Sequence, residues 1–129
     1  TVGGIMAPVV SIKNNEPVDI AMRLMIGQGV HAVMVEPDAS GQWGVMTDRG
    51  VLKKIISVNR SPARVQVGEI TTRPLVTVTR EMSLAEASNR MIAANVRRVV
   101  VEMDGKPVGM VTDNDLFRAV EIFGWGPDA

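Results

Sequence analysis

Two short stretches of this 129-residue chain gather residue types that can hold an anion. Gly109-Met110-Val111-Thr112-Asp113-Asn114-Asp115 runs from apolar, strand-like residues into a polar turn, and Leu116-Phe117-Arg118-Ala119-Val120 follows with helical character. A strand that ends at a helix N-terminus collects unpaired backbone N–H groups, a hydroxyl and carboxylates around one point. The orphan amides there favour a bound anion. An earlier, imperfect copy reads Gly44-Val45-Met46-Thr47-Asp48-Arg49-Gly50, ahead of Val51-Leu52-Lys53-Lys54-Ile55. The plainer role for Thr112, Asp113, Asn114 and Asp115 is N-capping, since these residue types are all preferred before helices.

Other chemistries find little support. No acid/base pair or nucleophile–base pair stands out, so we expect no enzyme. Cysteine is absent and His31 is the single histidine, which leaves no ordinary zinc set. His31 reads as a strand-edge or helix-end residue. Fourteen basic residues balance fourteen acidic ones for a formal net charge of +0, which argues against nucleic acid as the main partner. Arg60, Arg64, Arg73, Arg97 and Arg98 are what such a binder would use, with steep salt dependence as its mark. The 46% hydrophobic and 22% charged content is that of a soluble globular protein. No apolar run approaches a membrane span and the N-terminus lacks a signal pattern, so we expect no membrane partner and a cytoplasmic location.

The elements that would position these residues come as a repeat. Met6-Ala7-Pro8-Val9-Val10-Ser11-Ile12 matches Thr72-Arg73-Pro74-Leu75-Val76-Thr77-Val78 at an offset of 66, because 74 − 8 = 66. Val18, Ala21, Met22, Met25 and Ile26 then repeat as Leu84, Ala87, Ser88, Met91 and Ile92, at the spacing of an amphipathic helix. Ser83 with Glu86 three residues on predicts a capping box, and Pro17 suits a first helical turn. Strands are predicted at 31–35 and 97–101, each followed by a turn: Pro37-Asp38-Ala39-Ser40-Gly41 in one copy, Asp104-Gly105 in the other. Return strands span Trp43 to Met46 and Pro107 to Val111, and closing helices lie around Val51 to Ser57 and Leu116 to Phe123. Here the offset drops to 65, because 109 − 44 = 65. Glu36, Asp38, Glu102 and Asp104 flank the turns as solvated residues, and Met22, Met25, Met82 and Met91 read as core. Phe123-Gly124-Trp125-Gly126-Pro127 does not continue a helix; it folds back on the core or covers a contact between chains.

Each unit is thus strand, helix, strand, strand, helix, in roughly sixty residues, and marginal alone. Two units, 1–62 and 63–129, that bury their sheets against each other make one core. The fold class is α+β with α/β-like units, packed sheet to sheet in one pseudo-symmetric module.

This duplicated pattern, with Pro-Leu-Val-Thr-Val opening a unit and Thr112-Asp113-Asn114-Asp115-Leu116 closing its second strand pair, resembles a tandem cystathionine-β-synthase (CBS) domain pair, or Bateman module. The resemblance covers nearly the whole chain. It implies a regulatory, energy-sensing type of module that binds AMP, ADP, ATP or S-adenosylmethionine and controls an associated enzyme, channel or transporter. It also implies a homodimer, a disc of four repeats.

Carried over residue by residue, Asp115 accepts from ribose hydroxyls and Thr112 reaches phosphate or ribose, roles that suit a carboxylate and a hydroxyl. Arg97 and Arg98 neutralise phosphate, although residues adjacent on a strand point to opposite faces. The backbone of Pro74, Leu75 and Val76 borders adenine, Val99 and Met110 sandwich it, and Gly109 and Asp113 complete the set. The first repeat departs from this pattern. It keeps Pro8, Val9, Thr47 and Asp48, but Gly50 replaces the ribose-binding aspartate and His31-Ala32 replaces the arginine pair. One competent nucleotide site per chain is therefore expected, beside a degenerate one. The competing expectation is a structural dimerisation module with decayed sites.

Overall fold

The computed structural model describes residues 1–126, so Pro127 and the last residues of the second repeat lie outside the described residues. Two compact units emerge, and each draws on chain that a division at residue 62 would assign differently: one is Val10–Leu75, the other joins Thr1–Val9 to Val76–Ala129.

In the 10–75 unit, β1 (Ser11–Ile12), β2 (Ala32–Val35) and β3 (Gly44–Thr47) form a sheet, parallel between β1 and β2 and antiparallel between β2 and β3. Helix α1 (Val18–Gln28) buries Val18, Ala21 and Met25 against Ile12, Val33, Val35 and Met46 from one sheet face. Gly29 in the left-handed conformation ends it. Pro17 sits just before the helix as its N-cap residue rather than inside its first turn. Helix α2 (Asp48–Val51) runs on as a π-helical turn over Leu52–Ile56, marked by the Ser57 N–H donating to the Leu52 carbonyl at 2.9 Å. A short helix α3 (Val67–Ile70) is held by a capping box between Gln66 and Glu69.

In the other unit, β4 (Thr77–Val78), β5 (Arg98–Met103) and β6 (Lys106–Thr112) repeat the same sheet. Helices α4 (Leu84–Ala94) and α5 (Asp113–Phe123) cover the face that carries Val78, Val99, Val101 and Val111, using Leu84, Ala87, Met91, Leu116 and Ala119. The expected capping box of α4 is present: Ser83 Oγ accepts from the Glu86 N–H at 3.1 Å, and Glu86 answers to the Ser83 N–H at 3.2 Å. Asp104 and Gly105 both take positive φ, as a two-residue hairpin turn requires.

The opening strands are shorter than the matched segments because the residues ahead of them pair elsewhere. Ala7 exchanges two backbone hydrogen bonds of 3.0 Å with Met110 on β6, and Thr72 does the same with Val45 on β3 at 2.9 and 3.1 Å. Each connecting segment thus extends a sheet by one bridge. Val2, fully buried, donates to the Met82 carbonyl at 2.9 Å and anchors Thr1–Val9 to the second sheet and its helices.

Candidate functional site

The strand–helix junction after β6 is built by reciprocal capping. Thr112 Oγ1 accepts from the Asp115 N–H at 3.1 Å, and Asp115 Oδ2 accepts from the Thr112 N–H at 2.9 Å. Helix α5 therefore starts at Asp113, three residues earlier than its apolar periodicity predicts. The capping role leaves part of each side chain uncommitted. A hydroxyl that accepts one bond can still donate its proton, and the second Asp115 oxygen, Oδ1, has no hydrogen-bond partner among the described residues.

Register decides which neighbours share that corner. Arg98 stands opposite Thr112 and Val100 opposite Met110, so Arg98, Val100, Met110 and Thr112 lie on the sheet face away from α4 and α5. Val76, whose carbonyl accepts from the Val100 N–H at 2.9 Å, closes one side. Ala7, bonded to Met110, closes the other. Gly109, opposite Val101, is on the helix-covered face instead, where a Cβ would stand 2.5 Å from Met6 Sδ and Met6 would have to shift.

Three more of the sequence-derived residues fall elsewhere. Val99 is fully buried on the opposite face, paired with Val111 against the helices, so it does not flank a ligand together with Met110. Arg97 precedes the strand, its carbonyl accepts from the Asp113 N–H at 2.8 Å, and both side chains line a groove of about 990 Å³ between α4 and α5. Arg98, not Arg97, is the arginine on the Thr112 face.

The first-repeat counterparts divide in the same way. Thr47 Oγ1 caps α2 by accepting from the Gly50 N–H at 2.9 Å, but Gly50 has no side chain to reciprocate. His31 Nδ1 lies 2.9 Å from Asp48 Oδ2, and this exposed pair sits at a groove of about 480 Å³ beside Met22, Ile26, Val51 and Ile56. Pro8 and Val9 belong to the unit that carries Thr112 and Asp115, whereas Pro74 and Leu75 belong to the unit that carries Thr47.

One polar cluster has no counterpart among the sequence-derived residues. In the 10–75 unit, Arg73 Nε donates to the Gln42 carbonyl, and Nη2 donates to Asn14 Oδ1 and to the Glu36 carbonyl, each at 2.9 Å. Asp38 lies 3.7 Å from Nε. The Ser40 hydroxyl and N–H, and to a lesser degree Arg73, hold the Asp38 carboxyl below its ordinary value. An arginine before a proline gives no spacing signal for this arrangement. Among the described residues, no group of three or more potential ligands could hold a metal ion.

Comparison with known proteins completes the picture. Residues 2–57 and 67–122 match the CBS domain family. An uncharacterised protein of Methanopyrus kandleri is 29% identical over 102 residues, covering 78% of this chain and 52% of that protein. The mitochondrial CBS domain-containing protein CBSX3 of Arabidopsis thaliana is 35% identical over 104 residues, covering 78% of this chain and 50% of its own. The chain thus spans about half the length of these relatives. Among solved structures, a hexameric CBS-CP12 protein from bloom-forming cyanobacteria superposes with a TM-score of 0.83 at 24% identity, covering 92% of this chain and 72% of that one. That likeness is one of fold.

Proposed function

Because this chain belongs to the CBS-domain family, we propose that it is a regulatory module, not a catalyst, which binds one adenine nucleotide or adenosine derivative at the Thr112–Asp115 corner. The observation that carries this reading is the division of labour at that corner: the capping box holds Thr112 and Asp115 rigidly and leaves a hydroxyl proton and carboxylate Oδ1 free. Asp115 accepts from the ribose diol, Thr112 and Arg98 meet phosphate, and Met110 offers an apolar surface to the base. AMP, ADP, ATP and S-adenosylmethionine all carry the adenosine this geometry suits. The first repeat lacks the aspartate at Gly50, and its His31 and Asp48 engage each other, so it contributes no equivalent site.

The partner we propose is a second copy of the chain. Ile92 and Phe117 in the 990 Å³ groove are 74% and 73% exposed, and Ile26 and Ile56 mark the corresponding face of the other unit. Apolar surface at that density favours association. Ligand binding regulates by preferring one arrangement over another, since only differential affinity shifts such an equilibrium. The regulated protein is an attached or associated enzyme or transporter.

The test is calorimetric titration of the chain with AMP, ADP, ATP and S-adenosylmethionine, alongside Asp115→Asn. Asparagine keeps an oxygen for the Thr112 N–H but loses the charge and one acceptor, so binding should fall while the melting temperature holds. Unchanged affinity would remove Asp115 from the site. No binding by the parent chain would favour a structural dimerisation module with decayed sites. Sedimentation of Phe117→Glu should show a smaller species than the parent; an unchanged size would reject that face.

A further inference from the structure

We propose that two copies of the chain dock with unlike units in contact: the helical face of the 10–75 unit in one copy packs on the helical face of the α4–α5 unit in the other, drawn there by opposite charge. The inference rests on the reading above that copies associate through these faces, and it names which face meets which.

The two faces differ in charge. Helix α1 and helix α2 with its π-helical turn hold four cations, Arg23, Arg49, Lys53 and Lys54, and two carboxylates, Asp19 and Asp48. Helices α4 and α5 reverse the balance with four carboxylates, Glu86, Asp113, Asp115 and Glu121, and two cations, Arg90 and Arg118. A formal net charge of +0 for the whole chain hides this division.

Placement sharpens the contrast. Asp113, Phe117 and Glu121 stand four residues apart on α5, so they form one stripe, and all three line the 990 Å³ groove. The exposed Phe117 ring thus lies between two carboxylates, with Arg97 as the cation at the same groove. In the 10–75 unit, Arg49, Leu52, Lys53 and Ile56 recur at three- and four-residue spacing and are all exposed, and Ile56 lines the 480 Å³ groove. There the aliphatic side chains alternate with cations. Among the described residues, Arg49, Lys53, Asp113 and Glu121 form no ion pair, whereas Asp48 is engaged by His31.

Contact between like units would set cations against cations on one face and carboxylates against carboxylates on the other. Contact between unlike units turns both repulsions into attraction. Leu52, Ile56 and Phe117 supply apolar burial in either arrangement, so charge selects the orientation.

The experiment is sedimentation equilibrium of the full chain, beside Lys53→Glu, Glu121→Lys and the double variant. Both positions are exposed, so melting temperatures should match the parent. The parent should associate, and more weakly as sodium chloride is raised from about 0.05 to about 0.5 M. Each single reversal should weaken association roughly three- to tenfold, and the double variant should return close to the parent. Single variants that associate as tightly as the parent or more so, or association that strengthens with salt, would overturn the inference and leave the two-copy reading standing. A double variant as weak as the singles would also overturn it, since the two charges would then not face each other across copies. A parent chain that stays monomeric at every concentration would refute the two-copy reading itself and this inference with it.

Discussion

Gly44→Ala tests most directly whether segment 71–73 is built onto β3. Gly44 is buried at the start of β3, opposite Val35, and its missing side chain makes room for that segment. A Cβ there collides with Thr71 Cγ2 and stands 2.9 Å from Arg73 Cγ and 3.0 Å from the Thr72 carbonyl oxygen. The last of these is backbone and cannot rotate away, so the segment must lift. Lifting breaks the two Val45–Thr72 hydrogen bonds of 2.9 and 3.1 Å and strains the Arg73 contacts. Overpacking costs about 1–3 kcal/mol and each of the two lost backbone bonds about 1 kcal/mol, so the variant should lose ~3–5 kcal/mol. At about 3 °C per kcal/mol for a protein of this size, the melting temperature should fall by ~9–15 °C. The matched comparison is Gly27→Ala in the interior of α1, where a Cβ meets no atom within 4 Å. That change should stabilise by ~0.5–1 kcal/mol, because alanine suits a helix better than glycine. Thermal and urea unfolding of the two variants should therefore move in opposite directions. A Gly44→Ala cost below ~0.5 kcal/mol would refute the packing argument.

Gly50→Asp should stabilise α2 by about 1 kcal/mol, by supplying the carboxylate that Thr47 lacks and removing a helical glycine; urea unfolding measures it. Ser83→Ala should cost about 1 kcal/mol through loss of the α4 cap, whereas Ser83→Thr should cost less. The β2–β3 hairpin should loosen in acid. The Asp38 carboxyl is held below its ordinary 3.8, so its contribution is fully present above that value and is lost as the pH falls through the lower, folded one. Amide exchange across residues 37–42 should rise in that window, and Asp38→Asn should remove the dependence.

Much of this architecture can be read from residue patterns. The 66- and 65-residue offsets, the Ser83–Glu86 box and the Asp104-Gly105 turn are local signals, each satisfied within a few residues of chain. The match to the CBS domain family over both repeats agrees with the resemblance read from them. What sequence could not supply was long-range pairing. That Ala7 bonds to Met110 and Thr72 to Val45 depends on which open sheet edge each segment meets, and no periodicity encodes it. Direction was equally hidden. Arg97 and Arg98 are indistinguishable until the β5–β6 register puts Arg98 opposite Thr112, and Val99 looks available until the same register turns it toward the helices. Thr112 and Asp115 were conspicuous because one geometry serves both helix capping and an open acceptor.

The anchoring of Thr1–Val9 among residues 76–126 has a consequence for the order of events during synthesis. Val10–Leu75 is contiguous and can close as soon as it has left the ribosome, since translation proceeds at roughly 5–20 residues per second and units fold as they emerge. Residues 1–9 are made before the rest of their unit but must wait for Met82 and Met110 to appear before Val2 and Ala7 find their partners. Such sequence-distant contacts slow folding, because loop closure must precede the contacts that reward it. The second unit is thus the late-forming one. A nascent chain arrested before Met110 would hold a finished 10–75 unit beside an unpaired, apolar Val2–Met6 segment, an exposed target for chaperones and proteases.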